Sequence, residues 1–433
     1  MDWQVVITLF GSFGVLLFIG LPVSFSIGLA SLLTIGMALP VDTAITVVAQ
    51  RMAVGMDNFA LLAIPFFILA GNIMNQGGIA ARLIDFAKVL GGRLPGSLAH
   101  VNIMANMLFG AISGSAVASA AAVGGTMAPM QKKEGYDPAF SAAANISSCP
   151  SGLLIPPSNT LIVFSLVSGG TSIAALFLAG YIPGLLMGLS LMVVACIIAR
   201  RRGYPVSPKP TISQIWSTTV KAFPSLLLVL VVMWGIIGGV FTATEASAIA
   251  VVYTFILAVL IYREIKVSQL PGIVLESAIT TSIVLLLVGA STGMSWAMAN
   301  ADIPGMISDA LLSVSENPIV LLLIINLILL VVGIFMDMTP AILIFTPILL
   351  PIALDLGIDP VHFGIIMTFN LAIGICTPPV GSALFVGCSV AGISIDKVIK
   401  PMLPFYAAML ISLMLVTYIP QISLWLPQVL LGY

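Results

Sequence analysis

Two runs in this sequence gather the residues best suited to hold a small cation beside an organic anion. The first is SSCPSGLLIPPSNT at residues 147–160, with three prolines; the second is GICTPPVGS at 374–382. Proline removes a backbone donor and clashes with the preceding turn, so neither run can continue an α-helix. The carbonyls freed there are hard, uncharged oxygens suited to Na⁺, and the N-terminus of a restarting helix favours a carboxylate. That chemistry is binding and release. A nucleophile–base–acid set and a phosphate-cradling Gly-Lys-Ser/Thr loop are both absent from the sequence, so we expect no enzymatic activity and energy drawn from an ion gradient.

Each run has a small or polar break nearby. Pairing them predicts two Na⁺ sites, built mostly from main-chain carbonyls: Gly110 and Ser113 with Gly152, Ile155 and Pro157, and Gly333 with Gly374, Thr377 and Val380. A carboxylate substrate is expected between the runs, near Ser158, Asn159, Gly381 and Ser382, where hydroxyls, amides and helix ends offer donors. Asp337 and Thr339 join this set. An ionisable group at the depth of a helix break is costly unless used, although Asp337 could equally cap the helix after it. Glu245 in FTATEA reads as a cap, and His100 and His362 lack acidic or Cys companions at ligand spacing. Cys149, Cys196, Cys376 and Cys388 show no paired spacing and read as buried free thiols. No organic cofactor is expected.

The elements that position these residues must lie in lipid. The 433 residues are 60% hydrophobic and 7% charged, with a mean hydropathy of +1.19, whereas soluble domains carry about 25% charge. A net charge of −1 gives no case for nucleic acid. The apolar stretches predict spans at 4–20, 22–39, 58–75, 138–168, 175–199, 216–240, 243–262, 270–298, 360–392 and 402–430. Two further stretches, 97–131 and 318–354, are interrupted midway at Ser113-Gly114-Ser115 and Asp337-Met338-Thr339-Pro340, and read as re-entrant helical hairpins. The start shows no basic region or cleavage site, so it reads as mature helix.

A repeat orders these elements. Pro156-Pro157 recurs as Pro378-Pro379, a shift of 222 residues (378 − 156), and seven of the nine Gly and Pro residues between 129 and 173 are matched at that shift without a gap. Gly and Pro decide where a membrane helix can break, so matched breakers imply matched backbone geometry. Charge then relates the halves, because Lys and Arg mark the cytoplasmic side. Arg82, Lys88, Arg93 and Lys132-Lys133 flank the first hairpin, while Asp302, Asp309, Glu316 and Asp355 flank the second, with no Lys or Arg between Lys266 and Lys397. The first hairpin should open inward and the second outward. Arg200-Arg201-Arg202, Arg263, Lys266, Lys397 and Lys400 then fall in the cytoplasm and both termini outside. The expected fold is thus an all-α polytopic membrane protein with inverted-topology repeats, two re-entrant hairpins and two unwound, discontinuous transmembrane helices. Residues 1–202 form the first repeat, 203–215 a cytoplasmic loop and 216–433 the second repeat. Residues 79–90 and 303–315 read as amphipathic interfacial arms.

These residues carry a family likeness. The runs IPFFILAG (64–71), GAISGS (110–115), IPPS (155–158), GVFTATEA (239–246) and TPPVG (377–381) resemble the DctM-like large membrane subunit of the tripartite ATP-independent periplasmic (TRAP) transporters, over essentially the whole chain. The resemblance implies an elevator-type transporter in the bacterial cytoplasmic (inner) membrane, coupled to Na⁺. It implies two partners, a separate small four-helix membrane subunit and a periplasmic substrate-binding protein; because the sequence starts directly at the large subunit, the small one is expected as a second polypeptide. Family substrates are organic acids, including sialic acid, C4-dicarboxylates and other sugar or keto acids. With few Arg or Lys residues at depth, N-acetylneuraminate is the favoured expectation. A stand-alone Na⁺ or H⁺ coupled dicarboxylate symporter is the alternative; a membrane enzyme or scaffold subunit is remote.

Overall fold

The structure, a computed structural model, describes residues 3–315 and 317–433; Glu316, among the acidic flanks named above, lies outside the described residues. The described residues form helices and no strand. α1 (Trp3–Phe18), α2 (Val23–Ala38), α3 (Val41–Met56) and α4 (Ala63–Gln76) come first, followed by a short arm, α5 (Ile79–Gly91). α6 (Ser97–Ser113) and α7 (Ala116–Lys133) form a hairpin. A helix broken into α8 (Pro138–Ser148), α9 (Ser151–Leu154) and α10 (Asn159–Val167) follows, then the long α11 (Ile173–Arg202). After α12 (Ile212–Ile237) and α13 (Ala243–Phe255) the pattern returns: α14 (Leu270–Asn300), the arm α15 (Ile303–Val314), a second hairpin of α16 (Pro318–Phe335) and α17 (Met338–Asp355), a second broken helix of α18 (Pro360–Gly374) and α19 (Ser382–Ala391), then α20 (Ile395–Tyr418) and α21 (Gln421–Leu431).

The matched residues do matched work. Asp137 caps α8 by accepting from Ala139 N at 3.1 Å, and Asp359 caps α18 by accepting from Val361 N at 2.8 Å; each is followed by Pro at the first helical position. Gly135 and Gly357 adopt φ of 79° and 75° just past α7 and α17, the left-handed turn that ends a helix without a Cβ penalty. Pro156-Pro157 and Pro378-Pro379 are both cis.

Contacts between the halves are reciprocal and antiparallel. A methyl on Gly364, near the start of α18, would sit 2.6 Å from Phe164 near the end of α10. In the other pair, Gly387 near the end of α19 abuts Ile146 of α8, and Val390 and Ala391 share a crevice with Ser141. One broken helix therefore runs alongside the other in the opposite direction. The basic segments collect at one end: Ser97 and Ser207 hydroxyls lie 2.6 Å apart, Arg202 pairs with Asp137 at 2.7 Å, and Lys132 shares a cleft with Gly392 and Ile393. At the other end Tyr418 donates to Ile319 O at 2.9 Å.

The surroundings of this fold are apolar. Phe18 is 94% exposed, Ile212 86% and Trp234 80%, which a water-soluble surface of this size would not present. Eight helices among the described residues are long and apolar enough to cross a bilayer, or nine if the bent pair spanning 138–167 is one span. One helix was not anticipated and one expected span needs correction. Helix α3 lies where no span was expected, because Asp42, Thr43, Thr46, Gln50 and Arg51 dilute its hydropathy. The stretch 402–430 is not one helix; it divides at Pro420 into α20 and α21.

Candidate functional site

In the first half the site begins where α6 meets the break. A methyl on Gly110 would lie 2.9 Å from the Gly152 Cα, and one on Gly152 would fall on the Gly110 backbone; only glycines permit this approach. The other flank of the tip is equally close, since a methyl on Gly71 would lie 2.9 Å from Ser113 O. Beyond Gly152 the chain straightens: Ile155 is extended (φ −83°, ψ 124°), as is Ser158 (φ −124°, ψ 119°). Among the described residues, the carbonyls of Ile155, Pro156 and Pro157 accept no hydrogen bond. Gly110 O is already engaged, accepting from Gly114 N at 2.9 Å.

Behind this junction is a buried polar network that sequence reasoning missed. Asn145 Nδ2 donates to Ala120 O (2.9 Å), and its Oδ1 accepts from Asn102 (3.3 Å) and Asn106 (3.0 Å). Asn106 also donates to Ser148 (2.8 Å) and accepts from Ser119 Oγ (2.7 Å). The Ser119–Asn106 bond, with Gln131 Nε2 to Leu98 O at 3.1 Å, sets α6 and α7 antiparallel along their length. Asn102 and Asn106 share a face of α6 at helical spacing, but no spacing ties them to Ser119 or Asn145; burial reveals the network.

The second half repeats the arrangement. A methyl on Gly333 would lie 3.0 Å from the Gly374 Cα. The loop after Gly374 is pinned by Gly381 N to Ile334 O (3.3 Å), Ala383 N to Ile375 O (3.1 Å) and the Tyr406 hydroxyl to Cys376 O (2.5 Å). Gly381 takes φ +40°. Thr377 is tied back by its own N–H to Gly374 O (2.8 Å) and its hydroxyl to Ile373 O (2.8 Å). Among the described residues the carbonyls of Thr377, Pro378, Pro379 and Val380 accept nothing. The Val380 side chain points outward, 44% exposed. The two loops touch through sulfur: Cys149 and Cys376 both donate to Ile146 O, at 3.2 and 3.0 Å.

The hairpin tips and both breaks meet at a cavity of about 90 Å³. Five residue pairs lining it are related by the shift of 222: Ser115 with Asp337, Ala116 with Met338, Val117 with Thr339, Leu153 with Ile375, and Thr160 with Ser382. Asp337, Thr339 and Ser382 were expected here. Ser158 and Gly381 are not in the lining, and Asn159 reaches the tip only through its amide, 3.1 Å from where a methyl on Gly114 would stand. Thr160 and Ser115 were missed, though applying the repeat to Ser382 and Asp337 points to both. The Ser158 and Ser382 hydroxyls are buried without a hydrogen-bond partner among the described residues.

Position and bonding separate two of these residues. Ser115 caps α7, accepting from Ala118 N at 3.2 Å, whereas Asp337 occupies the same place before α17 and makes no side-chain cap bond. Asp337 therefore does not fill the capping role that Ser115 fills. Glu245 does cap its helix, in a box with Thr242. His100 and His362 face the carbonyls of Pro95 and Thr417, each at 3.2 Å.

The sequence matches the family described as the tripartite ATP-independent periplasmic transporter, DctM component, over residues 10–422. It is 65% identical over 422 residues to the uncharacterized protein YgiK of Salmonella typhimurium, covering 98% of this chain and 97% of that one. It is 42% identical to the sialic acid TRAP transporter large permease protein SiaM of Vibrio cholerae, with 98% and 99% covered. It is 40% identical to the C4-dicarboxylate TRAP transporter large permease protein DctM of Pseudomonas aeruginosa, with 93% and 94% covered. Among solved structures, the YdaH transporter of Alcanivorax borkumensis, reported with an unusual topology, aligns with a TM-score of 0.62 over 90% of both chains at 13% identity, a likeness of fold alone.

Proposed function

Since this chain belongs to the DctM family, the large permease component of the tripartite ATP-independent periplasmic transporters, we propose that it couples Na⁺ to the uptake of an organic acid across the bacterial inner membrane. The observation that carries this reading is the cavity lined by repeat-related pairs where two breaks and two hairpin tips meet. A substrate held on the axis between two halves can be handed from one side to the other by motion of those halves. We read residues 1–202 and 216–433 as inverted repeats joined by 203–215, with hairpins that enter from opposite leaflets and stop at the breaks.

The unpaired carbonyls of residues 155–157 and 377–380 support two Na⁺ sites, each closed by its hairpin through the Gly110–Gly152 or Gly333–Gly374 contact. Asp337 is the one ionisable residue in the cavity lining. We read the hairpins and broken helices as the unit that moves, in an elevator motion against a scaffold that includes α5 and α15. The lining contains hydroxyls and no Arg or Lys, which suits a hydroxyl-rich monoacid; N-acetylneuraminate is our first candidate, ahead of a C4-dicarboxylate. A small membrane subunit and a periplasmic binding protein complete the system.

Reconstitution tests this directly. Proteoliposomes holding this chain and its small subunit, with the binding protein outside, should accumulate labelled N-acetylneuraminate under an inward Na⁺ gradient and not when K⁺ replaces Na⁺. Succinate in its place checks the substrate. Accumulation by this chain alone would favour a stand-alone symporter and overturn the tripartite reading.

Asp337→Ser gives a second test, because serine can cap as Ser115 does but carries no charge. We expect uptake to fall at least about tenfold, the scale of one charged hydrogen bond, with the melting temperature unchanged. Full activity in Asp337→Ser would reduce Asp337 to a capping position.

A further inference from the structure

We infer that the cleft between the end of α11 and the start of α20 binds the headgroup of an anionic phospholipid from the cytoplasmic leaflet. The cleft encloses about 330 Å³, and Phe140, Ile198, Pro401 and Pro404 give it an apolar wall. Arg201 and Lys400 stand beside that wall. Both are exposed, and among the described residues neither forms an ion pair. Arg202, the neighbour, is already used: it holds Asp137 at 2.7 Å and Tyr204 at 3.2 Å.

Charges at the end of a membrane helix have a plainer explanation, which Arg201 alone would fit: a cation in the last turn complements the helix dipole. Lys400 does not fit it. It lies in the second turn of α20, which starts at Ile395, toward the helix end where the dipole disfavours a cation. The repeat supplies an internal comparison. At the shift of 222, Arg201 corresponds to Ser423 and Lys400 to Leu178, so neither cation recurs in the other half. The pair is specific to the end that gathers Lys132, Lys133 and Arg200, the cytoplasmic end by the distribution of positive charge.

Two free cations suit a phosphodiester, and the apolar wall suits the glycerol and first acyl carbons beneath it; basic pockets between helices at this level recognise acidic lipids. Free phosphate would satisfy the cations but leave the wall unused. Arg201 comes from the first half of the chain and Lys400 from the second, so one headgroup would bridge the two.

The test uses the full-length chain, delipidated in neutral detergent and followed by native mass spectrometry. Dioleoyl phosphatidylglycerol should bind in one saturable step, and dioleoyl phosphatidylcholine should not. Arg201→Ser with Lys400→Leu, the residues found at the corresponding repeat positions, should weaken that step about 30-fold, from about fivefold per cation near the surface. Lys132→Ser with Lys133→Ser should leave it within about twofold. Arg201→Lys with Lys400→Arg should retain binding, which guards against a folding defect in the first pair. Equal binding of phosphatidylcholine, equal loss in the Lys132/Lys133 variant, or unchanged binding after Arg201→Ser with Lys400→Leu would each overturn the inference. Inorganic phosphate that displaced phosphatidylglycerol at comparable concentration would also overturn it, marking a free-anion site.

Discussion

Alanine at Gly152 or at Gly374 is expected to lower Na⁺-driven uptake by about 5- to 150-fold, the range that about 1–3 kcal/mol of overpacking sets. At each position the added methyl would meet the facing glycine's backbone, Gly110 in the first half and Gly333 in the second. A flexible side chain could turn away; backbone at the end of a packed helix cannot. The hairpin tip must therefore move off the break, and the carbonyl arrangement proposed for Na⁺ moves with it. Gly125→Ala provides the control, since a methyl there meets nothing within 4 Å. Transport measured in proteoliposomes at several Na⁺ concentrations would decide it. Wild-type Na⁺ dependence in both Gly152→Ala and Gly374→Ala would show that these close contacts are packing alone.

The second large effect should come from Asn145→Ala. Its amide is the hub of the network joining α6, α7 and α8, and the position of Gly124 against Asn145 Nδ2 leaves no room for a larger residue there. Removing the amide strips Asn102 of its one side-chain acceptor and leaves Asn106 to Ser119, Ser148 and backbone. Buried polar groups without partners cost about 1–3 kcal/mol each, although side-chain bonds between membrane helices average nearer 0.6 kcal/mol. We expect a loss of about 1–3 kcal/mol, read as a lower melting temperature in detergent. Asn102→Leu should restore part of it, because it removes the orphaned amide; absence of any change in Asn145→Ala would show that the network contributes no stability.

Much of the architecture could be read before any coordinates. The breaks at 155–158 and 375–381 followed from proline chemistry, and the hairpins from small or polar residues interrupting apolar runs. The shift of 222 found Asp137 and Asp359, Gly135 and Gly357, because caps and left-handed stops are made by few residue types and leave a trace in the chain. The same shift also carried more than was taken from it, since Ser115 and Thr160 were predictable as the mates of Asp337 and Ser382. Helix α3 was hidden for the opposite reason: its polar residues removed the hydropathy signal, and its place is set by packing against α14.

Local chemistry, which acts over a few residues, was therefore open to sequence reading: where helices stop, where backbone is left without partners, and which segments prefer lipid. The identity of the cavity lining was not. That Asn159 reaches only the first tip while Thr160 lines the cavity depends on the rotation of α10 after the break. That Asn102 and Asn106 of α6, Ser119 of α7 and Asn145 of α8 share one network depends on three helices meeting at one depth. Packing over such distances is settled by the summed fit of many small contacts, and no spacing in a single chain records it.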